Sequence, residues 1–137
     1  MEFVVHGKPQ GKARPRFSRK SGTVYTPKKT ASYEKDIAKA YLDVNGLLYP
    51  DDVYIRIQVK AVFPVPTSWS KTKKLGAYEG IIRPAVKPDG DNILKVVMDA
   101  LNGIAYVDDK QVVYCSCQKV YGNTAGFLEI GITEDKV

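Results

Sequence analysis

Residues 53–63 read Val53-Tyr54-Ile55-Arg56-Ile57-Gln58-Val59-Lys60-Ala61-Val62-Phe63, and Pro64 and Pro66 follow. Val53, Ile55, Ile57, Val59, Ala61 and Phe63 alternate with Tyr54, Arg56, Gln58, Lys60 and Val62. Successive side chains of a strand point to opposite faces, so this period of two predicts a half-buried strand. The prolines end it, because a ring without an N–H cannot continue a ladder.

Working outward, Glu2 to His6 reads as a first strand and Gly7 to Pro27 as a long loop or hairpin, with Ser21-Gly22 as its turn. A helix capped by Thr30 or Ser32 is expected to run to about Val44, where Asn45-Gly46 stops it. Downstream, Thr67 to Gly80 is a basic excursion with a short helix after Ser68, and Arg83 to Pro88 returns extended. Ile93, Leu94, Val97, Met98 and Leu101 form the apolar face of a second main helix over Asn92–Asn102. Asp91 stands where its N-cap belongs, and Gly103 lies just past its end. Gln111–Tyr121 and Gly126–Thr133 read as the last two strands. The order β-α-β-α-β-β implies a single α+β domain over residues 1–137, one mixed sheet with two main helices packed on it.

The chain has 137 residues, which suits one domain and one core. Hydrophobic residues at 44% and charged residues at 26% argue against disorder. No apolar run approaches the roughly 18 residues of a membrane span, and the N-terminus does not read as a signal peptide. Cys115 and Cys117 are badly spaced for a disulfide and read as packing residues, which points to an intracellular setting. With His6 they are too few for a four-ligand zinc site.

The formal net charge of +6 hides two opposed patches. Lys8, Lys12, Arg14, Arg16, Arg19, Lys20, Lys28 and Lys29 form an arm without acidic residues. Lys60 to Lys87 carries six basic residues against Glu79 alone, among them Lys71, Lys73 and Lys74. Between Asp89 and Asp109 five aspartates face only Lys95. A basic arm reads either as a solvated tail or as a phosphate-binding surface. Phe17 and Tyr25 among the cations favour nucleic-acid contact.

The run Lys87-Pro88-Asp89-Gly90-Asp91-Asn92-Ile93-Leu94-Lys95 places two aspartates at a helix entrance, and Asp108-Asp109 follows that helix. If the chain returns beside the first pair, three or four carboxylates converge, a hard-oxygen set suited to Mg²⁺ or Mn²⁺. Lys95 and Asp99 lie one and two turns beyond Asp91, so they form either a surface ion-pair ladder or a catalytic arrangement around Lys95. Rival readings fail on spacing. A helix–loop–helix calcium loop counted from Asp89 would need Gly and Glu where Leu94 and Ala100 stand. A P-loop motif is absent. His6, the sole histidine, does not support a Ser–His–Asp triad.

These residues resemble the RusA family of Holliday junction resolvases. The resemblance joins Lys87 to Lys95, Asp99-Ala100-Leu101-Asn102-Gly103 and Tyr106-Val107-Asp108-Asp109-Lys110-Gln111-Val112. It extends to Gly7–Phe17, Tyr25-Thr26-Pro27 and Pro66–Lys71. It implies a homodimer that binds four-way junction DNA and cuts it with Mg²⁺ or Mn²⁺ in recombination and repair. By position, Asp89, Asp91 and Asp109 are implied as metal-binding catalytic aspartates, Lys95 as the catalytic lysine and Asp108 as a supporting ligand. It also implies a phage or prophage setting in the cytoplasm of a bacterial host, with no membrane partner and no small-molecule cofactor. The rival classes are a non-catalytic phage DNA-binding module and a less selective nuclease of branched DNA.

Overall fold

The alternating stretch is a central strand of the sheet. The computed structural model describes residues 1–136. In chain order the elements are β1 (Glu2–His6), the hairpin pair β2 (Arg16–Phe17) and β3 (Val24–Tyr25), α1 (Lys28–Asp43), β4 (Ile55–Pro64), α2 (Lys71–Tyr78), α3 (Gly90–Leu101), a 3-10 turn (Asp109–Gln111), β5 (Val112–Gly122) and β6 (Phe127–Glu134). The main sheet runs β1-β6-β4-β5. β6 is antiparallel to β1 and β4, whereas β4 and β5 are parallel, so the sheet is mixed as the sequence implies.

The period of two decides which face is covered. Ile55, Ile57, Val59, Ala61 and Phe63 are buried, while Gln58 and Lys60 are exposed. α1 presents Tyr33, Ile37 and Tyr41, and α3 presents Ile93, Val96, Val97, Ala100 and Leu101, to the same core. Both helices use helical spacing to supply one apolar stripe each. Gly46 lets the chain turn against this layer, since a Cβ there would stand 2.4 Å from the Tyr41 ring.

Several boundaries move. α1 begins at Lys28, directly after Pro27, and has no side-chain cap. Thr30, one of the expected caps, is buried inside the helix, and its Oγ1 accepts the Ala13 N–H at 3.4 Å. Asn45, at φ 59°, and Gly46 end the helix region as expected. The excursion after Ser68 does contain a helix, α2, capped by Ser70, which accepts the Lys73 N–H at 3.2 Å. Among the described residues there are thus three α-helices, two of them in the main layer. α3 starts at Gly90, so Asp89 rather than Asp91 occupies the N-cap position.

Gln111 sets where β4 and β5 begin. Its buried amide accepts the Val107 and Asp108 N–H groups at 2.9 and 3.0 Å. The same amide donates to the Pro50 and Val53 carbonyls at 2.8 and 3.1 Å. One side chain therefore ties the entries of two parallel strands together. Gln111→Ala strands these backbone groups and is expected to lower unfolding free energy by about 3 kcal/mol. Urea unfolding measures it, and a loss below about 1 kcal/mol would mean that water replaces the bonds.

Candidate active site

The chain enters α3 through a cis Lys87–Pro88 peptide. Asp89 holds the N-cap position with extended backbone and makes no side-chain cap bond, and Asp91 lies in the first turn. The apolar stripe of α3 turns inward, which leaves Asp89, Asp91 and Lys95 toward solvent. A helix N-terminus favours negative charge, so the fold tolerates two carboxylates here without a protein cation. Neither is in an ion pair among the described residues. On the opposite side of the helix, a Cβ at Gly90 would lie 3.9 Å from Cys117 Cβ on β5. Burial pushes the Cys117 thiol up, as fits a packing residue. Cys115 is exposed, and both thiols are free.

The second acidic pair sits elsewhere. Asp108 caps the 3-10 turn, its Oδ1 accepting the Lys110 N–H at 3.0 Å. That bond, with Asp109 and the Lys110 charge, holds its carboxyl below the usual range despite desolvation. Asp109 is pushed up by desolvation, then by its contact with Asp108 and the charges of Asp108 and Asp99. The pair therefore neighbours Asp99, which lies eight residues beyond Asp91, about 12 Å along the helix. Among the described residues, no three His, Cys, Asp or Glu side chains are placed to hold a metal ion. The expected convergence of three or four carboxylates is thus not made among the described residues. The cause is local: Gly103 N–H bonds the Tyr106 carbonyl at 2.8 Å, and the Tyr106 hydroxyl donates to the Met98 carbonyl at 2.5 Å. The link folds back at the C-terminal end of α3, and the 3-10 turn then feeds straight into β5.

The possible Asp91–Lys95–Asp99 ladder does not form among the described residues. Asp99 instead pairs with Lys12 at 3.2 Å, and Lys12 also pairs with Glu34 of α1 at 2.5 Å. Lys12, expected with the arm to meet DNA, is turned into the protein with 13% of its side chain exposed. Of the other arm cations, Lys8, Arg14, Arg16, Arg19, Lys20, Lys28 and Lys29 remain open to solvent. The arm lies on α3 because Lys12 N–H bonds the Asn92 carbonyl at 3.0 Å and Gly11 packs closely. A Cβ on Gly11 would be 2.9 Å from Pro88 Cβ and 3.0 Å from Asn92 Cβ. Between arm and helix runs a cleft of about 550 Å³, lined by Lys8, Lys29, Lys87 and Asp89 among others. It puts Asp89 against a cationic wall.

On α2, Lys71 and Lys73 are exposed and Lys74 is half-buried. Lys73 stands over the Trp69 ring at 4.1 Å, and Trp69 packs edge-on against Tyr121. Lys87 and Glu34 carry roles that the sequence did not single out. Lys87 adjoins the acidic motif, and that adjacency is a usable signal. Glu34 lies far from Lys12 in sequence and carries no local signal.

Lys12 links the arm to both helices, so its loss has a defined signature. Burial alone would lower its pKa, but the hydrogen bonds and charges of Glu34 and Asp99 outweigh it and raise the value. A raised lysine stabilises the fold fully below its unfolded pKa and ceases to do so as pH climbs through the folded value. Lys12→Met is expected to cost about 2 kcal/mol at neutral pH, with the gap to wild type closing above about pH 10.5. Urea unfolding across a range of roughly pH 7 to 12 reads this, and a gap that widens with pH would refute the assignment.

A family model described as endodeoxyribonuclease RusA matches residues 6–133. The chain is also similar to an uncharacterized protein, YqaN, of Bacillus subtilis (strain 168), with 37% identity over 128 residues that cover 88% of this chain and 87% of that protein. The family match runs from the end of β1 through the arm, both acidic pairs and most of β6. The chain belongs to the RusA endodeoxyribonuclease family.

Proposed function

We propose that this endonuclease-family chain resolves Holliday junctions by paired, symmetric hydrolysis of DNA phosphodiesters, with Mg²⁺ or Mn²⁺, in recombination and repair within a bacterial cytoplasm. One observation carries the reading: Asp89 lines a cleft walled by Lys8, Lys29 and Lys87, and neither it nor Asp91 is in an ion pair among the described residues. Cationic walls hold phosphate, and unpaired carboxylates supply hard oxygen ligands. Asp89, Asp91 and Asp109, with Asp108 in support, are the proposed metal ligands. These ligands form two pairs toward opposite ends of α3, and among the described residues no three of them are placed around one ion; Mg²⁺ can be held by two carboxylates together with waters and phosphate oxygens. The reading includes a homodimer, because a two-fold dimer would offer two identical sites to a two-fold substrate.

In the proposed reaction water attacks phosphorus in line with the departing 3′ oxygen, which leaves 5′-phosphate and 3′-hydroxyl ends. The divalent cation, when bound, supplies charge neutralisation at the phosphate. Lys95, one turn beyond Asp91, contacts the phosphate or orients the water. The solvent-facing arm cations, with Lys71, Lys73 and Lys74, hold the backbone without reading bases.

Cleavage of synthetic four-way junctions tests the reading. Wild type with Mg²⁺ or Mn²⁺ is expected to make paired nicks that stop on chelation. Asp91→Asn is expected to reduce cutting by more than about 100-fold while junction binding is kept or strengthened. Junctions left intact by wild type across varied sequences would assign the chain to non-catalytic DNA binding. Equal cutting of flaps and linear duplex would assign it to a less selective nuclease.

A further inference from the structure

The hairpin in the basic arm carries an apolar face left open among the described residues. β2 and β3 pair with Arg16 opposite Tyr25 and Phe17 opposite Val24. Residues directly opposite in an antiparallel pair point to the same side, so Phe17 and Val24 share one face and Arg16 and Tyr25 the other. Phe17 is 64% exposed and Val24 68%, against 46% for Tyr25. We infer that the Phe17–Val24 face is a base-stacking wedge that meets unstacked nucleobases at the branch point of the DNA. The inference rests on the junction-cutting reading and names what favours a junction over plain duplex.

The hairpin is a shaped projection. The Ser18 N–H donates to the Thr23 carbonyl and the Gly22 N–H to the Ser18 carbonyl, both at 2.8 Å. Gly22, at φ +66°, makes the turn that these bonds close. The Ser21 N–H adds a bond to Ser18 Oγ at 3.3 Å. Charge chooses the partner. From Phe3 to Tyr33 the sequence has no carboxylate. Arg14, Arg16, Arg19 and Lys20 are exposed on the same projection, and none is in an ion pair among the described residues. Cations hold phosphates and an aromatic ring stacks on a base, so one surface meets both parts of a nucleotide.

Position sets which bases are met. At the foot of the hairpin the Ala13 N–H bonds Thr30 Oγ1, and both residues line the same cleft as Asp89. Four residues carry the chain from Ala13 to Phe17, at most about 14 Å when extended. That is about four base steps of DNA at roughly 3.4 Å each. A strand lying in the cleft would therefore bring bases a few steps from Asp89 within reach of the hairpin. Energetics then supply the preference. Prising open an intact base step costs at least as much as one stacked ring returns, so in continuous duplex the wedge gains nothing. At a branch point the stack is already interrupted, and the ring takes its place without that cost.

The test is metal-free binding of a synthetic four-way junction and of a linear duplex of matching sequence. Phe17→Ala is expected to weaken junction binding by about fivefold or more, the lower bound for one base–aromatic stack, and duplex binding by less than about twofold. No cation is lost, so the slope of log affinity against log salt is expected to stay that of wild type. Arg16→Gln is expected to make that slope shallower by about 0.9 on both DNAs. Phe17 also packs across from Val24, so two further variants separate stacking from hairpin shape. Phe17→Trp keeps a flat ring and is expected to keep the junction preference. Phe17→Ile keeps a strand-forming apolar residue without the ring and is expected to lose it. Wild type that binds and cuts junctions, with no loss in Phe17→Ala or none in Phe17→Ile, overturns this inference alone. Equal weakening on junction and duplex would make Phe17 a support of the hairpin and overturn it too. Wild type that binds no junction overturns the junction-cutting reading as well. Sedimentation of the free protein tests the other occupant: a complex of two copies that Phe17→Ala splits would give the face to a second chain and overturn the base assignment.

Discussion

Two parallel neighbouring strands start at the same end of a sheet, so the chain leaving one must travel back before it enters the other. That constraint places both acidic pairs. β4 and β5 pair in parallel from Ile55 with Val112 to Pro64 with Gly122. The return path between them carries α2, α3 and both acidic pairs. α3 covers the buried face of the sheet, which fixes its apolar stripe inward and its aspartates outward. Gln111 closes the path by binding the approach to β4 and the approach to β5 with one amide. The acidic residues are thus held by the sheet's connectivity, and little of their placement depends on contacts of their own.

The sheet's framework also explains why the two acidic pairs remain apart. A helix of twelve residues spans about 18 Å. The first pair stands at its start, and the second follows a turn anchored at Met98, Asn102 and Tyr106 near its end. Mutual repulsion among Asp99, Asp108 and Asp109 is eased by Lys12, which takes up the Asp99 charge, and by the capping bond that Asp108 accepts. Each end of α3 has therefore solved its electrostatics differently: the start by helix dipole and exposure, the end by ion pair and backbone bonds.

Periodicity made the fold legible. The alternation at 53–63 marks the buried face of β4, and the apolar spacing at 93–101 marks that of α3, because both patterns are set by burial of every second residue or every third to fourth. Helix starts were less legible. Thr30 is a good cap by type, yet Pro27 begins α1 a turn earlier and Thr30 is drawn inward to Ala13. The acidic motif marks candidate residues, but spacing along the chain says nothing of the angle at which Asn102–Ala105 turns. The inward course of Lys12 was equally hidden, since its partners Glu34 and Asp99 come from two helices that meet only in the folded chain.

A chain of net charge +6 keeps carboxylates available only if its own cations are prevented from reaching them. Several of its cations are occupied elsewhere in the structure. Lys12 is held between Glu34 and Asp99. Lys119 is held on the Val86 carbonyl and over Phe63. Lys73 lies over Trp69, and Arg83 is bonded to Gly80. Each anchor fixes one positive charge, and Asp89 and Asp91 are without an ion pair among the described residues. A flexible tail of equal charge could not do so, because a mobile ammonium within reach of an exposed carboxylate samples ion pairs with it. Close packing of Gly11 on Pro88 and Asn92 completes the arrangement, fixing the arm near the acids while its exposed cations remain directed at solvent.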